Sequence, residues 1–393
     1  MIMPSSPATP PSSPATPPSS PATPPSASNS PTARARSRRS LAVHGLRNAP
    51  SAVVAGGLCV ALLMTLSGCG GDSASDAKSA SGEATVKVMV GGLDKVIYLP
   101  AMLTQRLCYF KAEGLKVELL TEPAGVQAET ALISGDVQGA VGFYDHTLDL
   151  QVKGKKVESV VQFSHAPGEV EVVSNQAAGS IASPKDFKGK KLGVTGLGSS
   201  TDFLTKYLAV RDGVKTSEFT PVAVGAGQTF IAALKQGSIQ GGMTTDPTVA
   251  TLVDQKLGKV LIDMRTPEGS QAALGGPYPS SSLYMNADWV QSHRQTVQKL
   301  VNALVKTLRW MSAHSAEEIA AKMPADYAQG GKALYAQSIK STLPMFTKDG
   351  VMPANGPETV EKVLKAFNPN LKSAKVDLSQ TYTTEFVKKV PQS

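Results

Sequence analysis

The sequence predicts an α/β protein built as two similar lobes. From Thr85 onward, short apolar β-branched runs alternate with segments whose apolar residues recur at helical spacing. That order lays parallel strands side by side with helices on their faces. One stretch is also answered by another. Ala131-Leu132-Ile133-Ser134-Gly135-Asp136-Val137-Gln138-Gly139-Ala140 is echoed by Ala233-Leu234-Lys235-Gln236-Gly237-Ser238-Ile239-Gln240-Gly241-Gly242. Both are a helix end, a glycine stop and a strand start, which two lobes made from one unit explain better than one long sheet. A chain of 393 residues is long enough for two cores.

The first 83 residues stand apart. Residues 1–48 are low-complexity. Three copies of Ser-Ser-Pro-Ala-Thr-Pro-Pro fill residues 5–25, too polar and proline-rich to bury a core. Arg34, Arg36, Arg38, Arg39 and Arg47 follow with no acidic residue among them. Residues 49–68 read as an export signal. The apolar run 52–66 has the length of a signal's hydrophobic region and is short for a spanning helix. It ends in Leu66-Ser67-Gly68-Cys69, which resembles a bacterial lipobox and implies cleavage before Cys69 and lipid attachment to it. Residues 69–83, rich in Gly, Ser, Ala and Asp, read as a flexible tether. Without the five head arginines the formal charge falls from +8 to +3, so the basic balance belongs to the signal and makes no case for nucleic acid. Cys59 lies in the apolar run and Cys69 takes the lipid, so Cys108 is left without a disulfide partner.

Val86, Val88 and Val90 alternate as a first strand, closed by Gly91-Gly92. A helix is expected over residues 100–110, with Met102, Leu103, Leu107 and Phe110 as its stripe, and then a strand at 115–120. A helix through 130–133 stops at Gly135, and strands follow at 137–143, 157–163 and 170–173. Residues 192–195 read as a buried strand. Gly196 and Gly198 then let the chain turn sharply, and Ser199, Ser200 or Thr201 caps a helix carrying Phe203, Leu204, Tyr207 and Leu208. Free amides and the positive end of that helix suit a small-molecule site. The same glycines half-match a dinucleotide fingerprint, but the third glycine and an acidic partner are missing. One more strand lies at 283–285. Val297, Leu300, Val301, Leu304, Val305 and Leu308 form the core stripe of a long helix, and Trp289 and Trp310 are assigned to the core. The tail, 333–390, reads as further helices with a loop at 350–357.

Several of these stretches together resemble one family. They are Gly91-Gly92 with Tyr98-Leu99-Pro100-Ala101, Tyr109-Phe110-Lys111-Ala112-Glu113-Gly114-Leu115-Lys116-Val117-Glu118, both Ala-Leu-x-x-Gly repeats, and Asp186-Phe187-Lys188-Gly189-Lys190-Lys191-Leu192-Gly193-Val194. The resemblance, over residues 85–311, is to the nitrate/sulfonate/taurine group of ABC-importer solute-binding proteins, which includes thiamine-pyrimidine (pyrimidine synthase-like) binders. Gln138 and Gln240 depart from it, standing where the family usually has Asp. The resemblance implies a type II periplasmic-binding fold. Lobe one would be 84–174 plus 277–393 and lobe two 175–276, closing on a ligand like a hinged clamp. It also implies a monomer without cofactor, lipid-anchored through Cys69 on the periplasmic side of a bacterial membrane. Its solute would pass to an ABC permease and its ATPase.

On that fold, ligands sit beyond the carboxyl ends of strands. The candidates in lobe one are Asp94, the run Tyr144-Asp145-His146, and His165; in lobe two they are Ser199, Ser200, Thr201, Gln228, Thr229 and Asp246, with Tyr278 on the return crossing. Tyr144 is read as an aromatic wall or as lobe packing. Asp145 and Asp246 are read as ligand acceptors or as helix caps. His146 and His165 share no tight spacing with a third ligand, so no metal is assigned. No nucleophile elbow, Walker loop or Cys-x-x-Cys is present, and Cys108 reads as helix packing, so the chain is expected not to be an enzyme. Desulfinase-like or pyrimidine-synthase-like enzymes, a thiamine-pyrimidine-precursor binder and a ligand-sensing lobe are the alternatives. Helix-start hydroxyls suit a sulfonate, nitrate or carboxylate; Asp94, Asp145 and Asp246 suit an amine or ring N–H; a zwitterion such as taurine, or an aminopyrimidine, satisfies both.

Overall fold

The computed structural model describes residues 84–391. The low-complexity head, the signal segment, Cys69 and the tether of the sequence reading lie outside the described residues. Ten strands follow in order: β1 (Ala84–Val90), β2 (Leu115–Thr121), β3 (Gly139–Phe143), β4 (Val157–Gln162), β5 (Glu169–Ser174), β6 (Lys191–Val194), β7 (Thr220–Ala223), β8 (Gly241–Thr245), β9 (Gly258–Asp263) and β10 (Ser281–Asn286). They form two five-stranded sheets, ordered β2-β1-β3-β10-β4 and β7-β6-β8-β5-β9.

Neither sheet is wholly parallel. β1 runs parallel to β2 and β3, and β6 parallel to β7 and β8. β10 lies antiparallel between β3 and β4, and β5 antiparallel between β8 and β9. These two strands are the ones that enter a sheet after the chain crosses from the other lobe. One boundary is therefore corrected. β5, assigned by sequence to lobe one, belongs to the second sheet, and the first crossing falls at residues 163–168. The apolar pattern of β5 suits either sheet, and only its hydrogen-bond partners decide.

The internal echo is a repeated piece of backbone chemistry. The glycine stops Gly135 and Gly237 adopt φ of 85° and 69°, which a glycine enters freely. Gln138 Oε1 accepts from the Lys87 amide (2.8 Å), and the Gln138 amide donates to the Lys87 carbonyl (3.0 Å). Gln240 repeats both bonds with Lys191, at 2.9 Å each. Each glutamine ties a helix-to-strand junction to the neighbouring strand.

The helix expected over residues 100–110 is broken into Leu99–Arg106 and Tyr109–Ala112 by Cys108, whose φ is 59°. Cys108 is exposed, not packed as expected. The helix Arg294–Ser312 buries its whole predicted stripe against the first lobe. Trp289 and Trp310 are only half-buried at the margin of that core. The tail covers the open edge of β4: the Ser159 amide donates to the Thr381 carbonyl and the Thr383 amide to the Ser159 carbonyl, both at 2.9 Å. The two crossings pair as well, through Tyr278 N–H to the His165 carbonyl (3.0 Å) and Gly168 N–H to the Met264 carbonyl (2.9 Å). Among the described residues no helix is long and apolar enough to cross a membrane.

Candidate functional site between the lobes

Loops at the carboxyl ends of β1, β6 and β8 meet the start of β5 around a narrow gap with a cavity volume of about 10 Å³. Lys95, Ile97, Tyr98 and Gly125 line it from the first lobe. Glu169, Thr195, Ser199, Ser200, Thr201 and Thr245 line it from the second.

The lobes touch directly here. Ser200 Oγ donates to Asp145 Oδ1 at 2.9 Å, and the Tyr278 hydroxyl donates to Asp145 Oδ2 at 3.0 Å. Asp145 is fully buried, and burial pushes its carboxyl pKa up while His146, Ser200 and Tyr278 pull it back. Ser199 does not cap its helix; its Oγ accepts from the Val126 amide across the cleft at 3.3 Å. Thr201 Oγ1 accepts from the Thr195 amide (3.0 Å) and hydrogen-bonds the Thr195 hydroxyl (2.9 Å). The helix-start hydroxyls expected to hold a ligand are thus engaged within the protein.

Several lining residues escaped the sequence reading, Lys95, Tyr98 and Glu169 among them. Lys95 Nζ donates to the carbonyls of Gly91 (2.6 Å) and Pro123 (2.8 Å). Burial lowers its amine pKa to about 8, against the pull of Asp94 and Glu169. Tyr98 is buried, and burial raises its phenol with Glu169 and Asp145 adding to the effect. Glu169, at the first residue of β5, is driven well above the usual carboxylate range by burial and by Asp145, with Lys95 opposing. Thr245 stands directly across from it on β8. Glu169 Oε2 and Thr245 Oγ1 are buried without a hydrogen-bond partner. A signal was present: Glu169 and Glu171 alternate with Val170 and Val172 in a strand that reads as buried, where an acidic residue is expensive unless it has a task.

The other candidates scatter. Tyr144 is no wall of the gap; it is fully buried, its hydroxyl bonded to Thr381 and its ring edge-on to Tyr382. The β3 ladder and the helix Asp145–Val152 turn it toward the tail. His146 lies behind Gly125, where any side chain would meet its Nε2. Its Nδ1 is 2.8 Å from Glu129 Oε2, though not aligned as a hydrogen bond. Burial lowers its pKa, but Glu129, Asp145 and Asp149 together outweigh that and raise it. His165 sits on an outer pocket, its Nε2 3.1 Å from the Pro344 carbonyl. Asp94 and Gln228 are exposed at the mouth of the cleft beside Tyr327. Thr229 donates to the Ala226 carbonyl of its own turn (2.9 Å). Asp246 is buried on Arg265 Nη1 (2.9 Å), the Ala250 amide (3.1 Å) and Thr342 Oγ1 (3.2 Å). Among the described residues no three His, Cys, Asp or Glu side chains converge as a metal set.

Comparison with known proteins sharpens this picture. The pattern of the family described as NMT1/THI5 like matches residues 98–318. A 4-amino-5-hydroxymethyl-2-methylpyrimidine phosphate synthase of Schizosaccharomyces pombe is 31% identical over 149 residues, covering 37% of this chain and 40% of the synthase. The synthase THI13 of Saccharomyces cerevisiae is 27% identical over 224 residues, 55% of this chain and 64% of that one. The chain therefore spans less than two thirds of these curated relatives. A solved protein of Bordetella bronchiseptica RB50 superposes with a TM-score of 0.75 at 33% identity, covering 78% of this chain and 96% of that one. The alkanesulfonate-binding protein SsuA of Xanthomonas axonopodis superposes with a TM-score of 0.62 at 16% identity, over 77% and 98%. The fold is the two-lobed α/β type II periplasmic-binding fold. The expectation that the chain is not an enzyme is overturned, because several curated relatives carry the synthase name. That expectation rested on missing motifs of other chemistries. Binders and enzymes of one fold differ instead in a few cleft side chains, which a motif does not report.

Proposed function

The chain belongs to the NMT1/THI5-like family, and from that premise we propose that its interlobe cleft recognises a thiamine-type aminopyrimidine. The carrying observation is the buried Glu169, whose Oε2 has no hydrogen-bond partner, on the wall of a gap that several hydroxyls and the Lys95 amine also line. N–H donors stabilise the ionised form of a buried carboxylate and a nitrate or sulfonate repels it, so Glu169 favours a ring bearing an amino group. Titration calorimetry with 4-amino-5-hydroxymethyl-2-methylpyrimidine, its phosphate, taurine and nitrate tests the reading. The pyrimidines should bind and the simple anions should not. Binding of taurine or nitrate without either pyrimidine refutes it. Mass spectrometry of the incubated protein for released pyrimidine phosphate checks whether recognition leads to turnover.

A second reading concerns where this happens, and the sequence of the head supports it. The apolar run ending in Leu66-Ser67-Gly68-Cys69 favours an extracytoplasmic, lipid-anchored protein that hands its solute to a permease and ATPase. Cys69→Ala should release the protein from membranes. Retention on the membrane with residues 1–68 removed and Cys69 replaced contradicts it.

A further inference from the structure

Hydrogen-bond accounting around the gap leaves two fully buried side-chain atoms without any partner, Glu169 Oε2 and Thr245 Oγ1. Asp145 has both oxygens occupied, by Ser200 and Tyr278. Thr201 is closed on Thr195, Ser199 holds the Val126 amide, and Lys95 is drawn onto two backbone carbonyls. Glu169 Oε2 and Thr245 Oγ1 have no partner, although both residues are at least 98% buried, with exposures of 2% and 1%. They are direct cross-strand partners in the antiparallel β5–β8 pair, and both line the gap. Buried polar atoms are nearly always hydrogen-bonded, so two facing orphans on a cavity wall mark where a ligand donates.

We propose that Glu169 and Thr245 form the specificity-determining subsite for the N–H-bearing end of the cleft ligand, and so set which way round it lies. The inference rests on the reading that this gap is the ligand site, and it reverses the expected orientation. Of the helix-start hydroxyls of the second lobe, Ser200 donates to Asp145 and Thr201 is paired with Thr195, while Ser199 accepts from the Val126 amide and keeps its O–H. What the second lobe offers instead is a carboxylate and a hydroxyl, side by side on its sheet edge. An amine or an amidine-like pair of N–H groups meets both. An N–H donor stabilises the ionised form of Glu169 against the burial that raises its pKa, whereas the oxygens of a sulfonate, nitrate or carboxylate placed there would repel that form. The chemical class is thus a ring or short chain with an exocyclic amine, its N–H groups aimed at β5 and β8.

The test compares ligands that differ only in that donor, on the full chain. Calorimetry uses 4-amino-5-hydroxymethyl-2-methylpyrimidine and the same ring lacking the amino group, with the parent, Glu169→Gln, Thr245→Val and Thr245→Ser. Glu169→Gln should weaken the amino ring roughly tenfold to a hundredfold and leave the desamino ring unchanged. Thr245→Val should weaken the amino ring severalfold, and Thr245→Ser should restore it. Equal losses for both rings, or none for either, overturn the subsite. Benzamidine and 4-aminopyridine separate this inference from the pyrimidine reading. If no pyrimidine binds, but one of these amines binds the parent and is lost in Glu169→Gln, the subsite stands and the pyrimidine reading falls. A parent that binds none of the N–H donors, or prefers nitrate or taurine to all of them, overturns the subsite. Thermal melts of each variant report whether the fold is intact, and Thr245→Val supplies the readout should Glu169→Gln fail to fold.

Discussion

Ser200 of the second lobe donates its hydroxyl to Asp145 of the first at 2.9 Å, and that bond helps hold the two lobes together over the gap. Asp145 has no exposure to water in this arrangement. Removing the hydroxyl leaves one carboxylate oxygen buried without a donor, a loss of about 1–3 kcal/mol. Opening the lobes lets water replace the missing donor. Ser200→Ala should therefore shift the free protein toward an open form. Small-angle scattering should give a larger radius than the parent, with a melting point several degrees lower. An unchanged radius with a lowered melting point would assign the bond to local packing.

Tyr144 is expected to behave in the opposite way. Its hydroxyl bonds Thr381 in the tail, remote from the gap lining. Tyr144→Phe removes one buried hydrogen bond and keeps the ring, at a cost of about 0.5–1.5 kcal/mol. The melting point should fall by about 2–4 °C per kcal/mol lost. Ligand affinity should stay within a factor of about two. A tenfold loss of affinity with an unchanged melting point would return Tyr144 to the site.

The division between what could and could not be read is physical. Strands and helices were legible because apolar periodicity is local: every strand named in the sequence overlaps an observed one. The echo at Gly135 and Gly237 was legible because a left-handed helix stop favours glycine whatever the tertiary context. The lobe of β5 was not, since a buried strand looks alike in either sheet. For the site, position after a strand end located Asp145, Ser199, Ser200 and Thr201 near the gap, and the return crossing located Tyr278. Position says nothing of where a side chain turns, so Tyr144 and Thr229 were misjudged. Glu169 was passed over because attention went to loops, although an acidic residue in a valine-rich strand was the stronger anomaly.

Glu171 gives the fold a pH dependence with a definite sign. It is fully buried, and burial pushes its carboxyl up to about 8, with Thr205 Oγ1 at 3.3 Å opposing. Raised in the folded state above its unfolded value, it favours folding while it is protonated. Its contribution is fully present below about pH 4.5, and it is lost as the pH rises through about 8. A gap of that size corresponds to a few kcal/mol, on the order of 1.4 per pH unit. Glu171→Gln removes the titration and keeps the shape. The variant should match the parent near pH 4.5 and melt higher at pH 9, with the difference growing between. Parallel melting curves across that range would show that Glu171 ionises freely in the folded protein.

Asp246 is a second link between the lobes, and its partners can be separated. Its carboxylate takes Arg265 Nη1 at 2.9 Å, and Arg265 also bonds Asp263; all three belong to the second lobe. Thr342 Oγ1 reaches the same carboxylate at 3.2 Å from the C-terminal helix Lys332–Thr342, and the Asp246 carbonyl accepts from the Val96 amide of the first lobe at 3.0 Å. Arg265→Ala breaks a buried ion pair from inside one lobe, leaving Asp246 unpaired, and should cost about 3–5 kcal/mol in stability. Thr342→Val touches only the interlobe end. Asp246 keeps its arginine and the Ala250 amide, so stability should fall by less than about 1.5 kcal/mol. If the contact restrains opening, Thr342→Val should increase the radius of the free protein in scattering, and adding a tight ligand should restore the parent's value. A radius identical to the parent's, free and bound, would make Thr342 a passive neighbour.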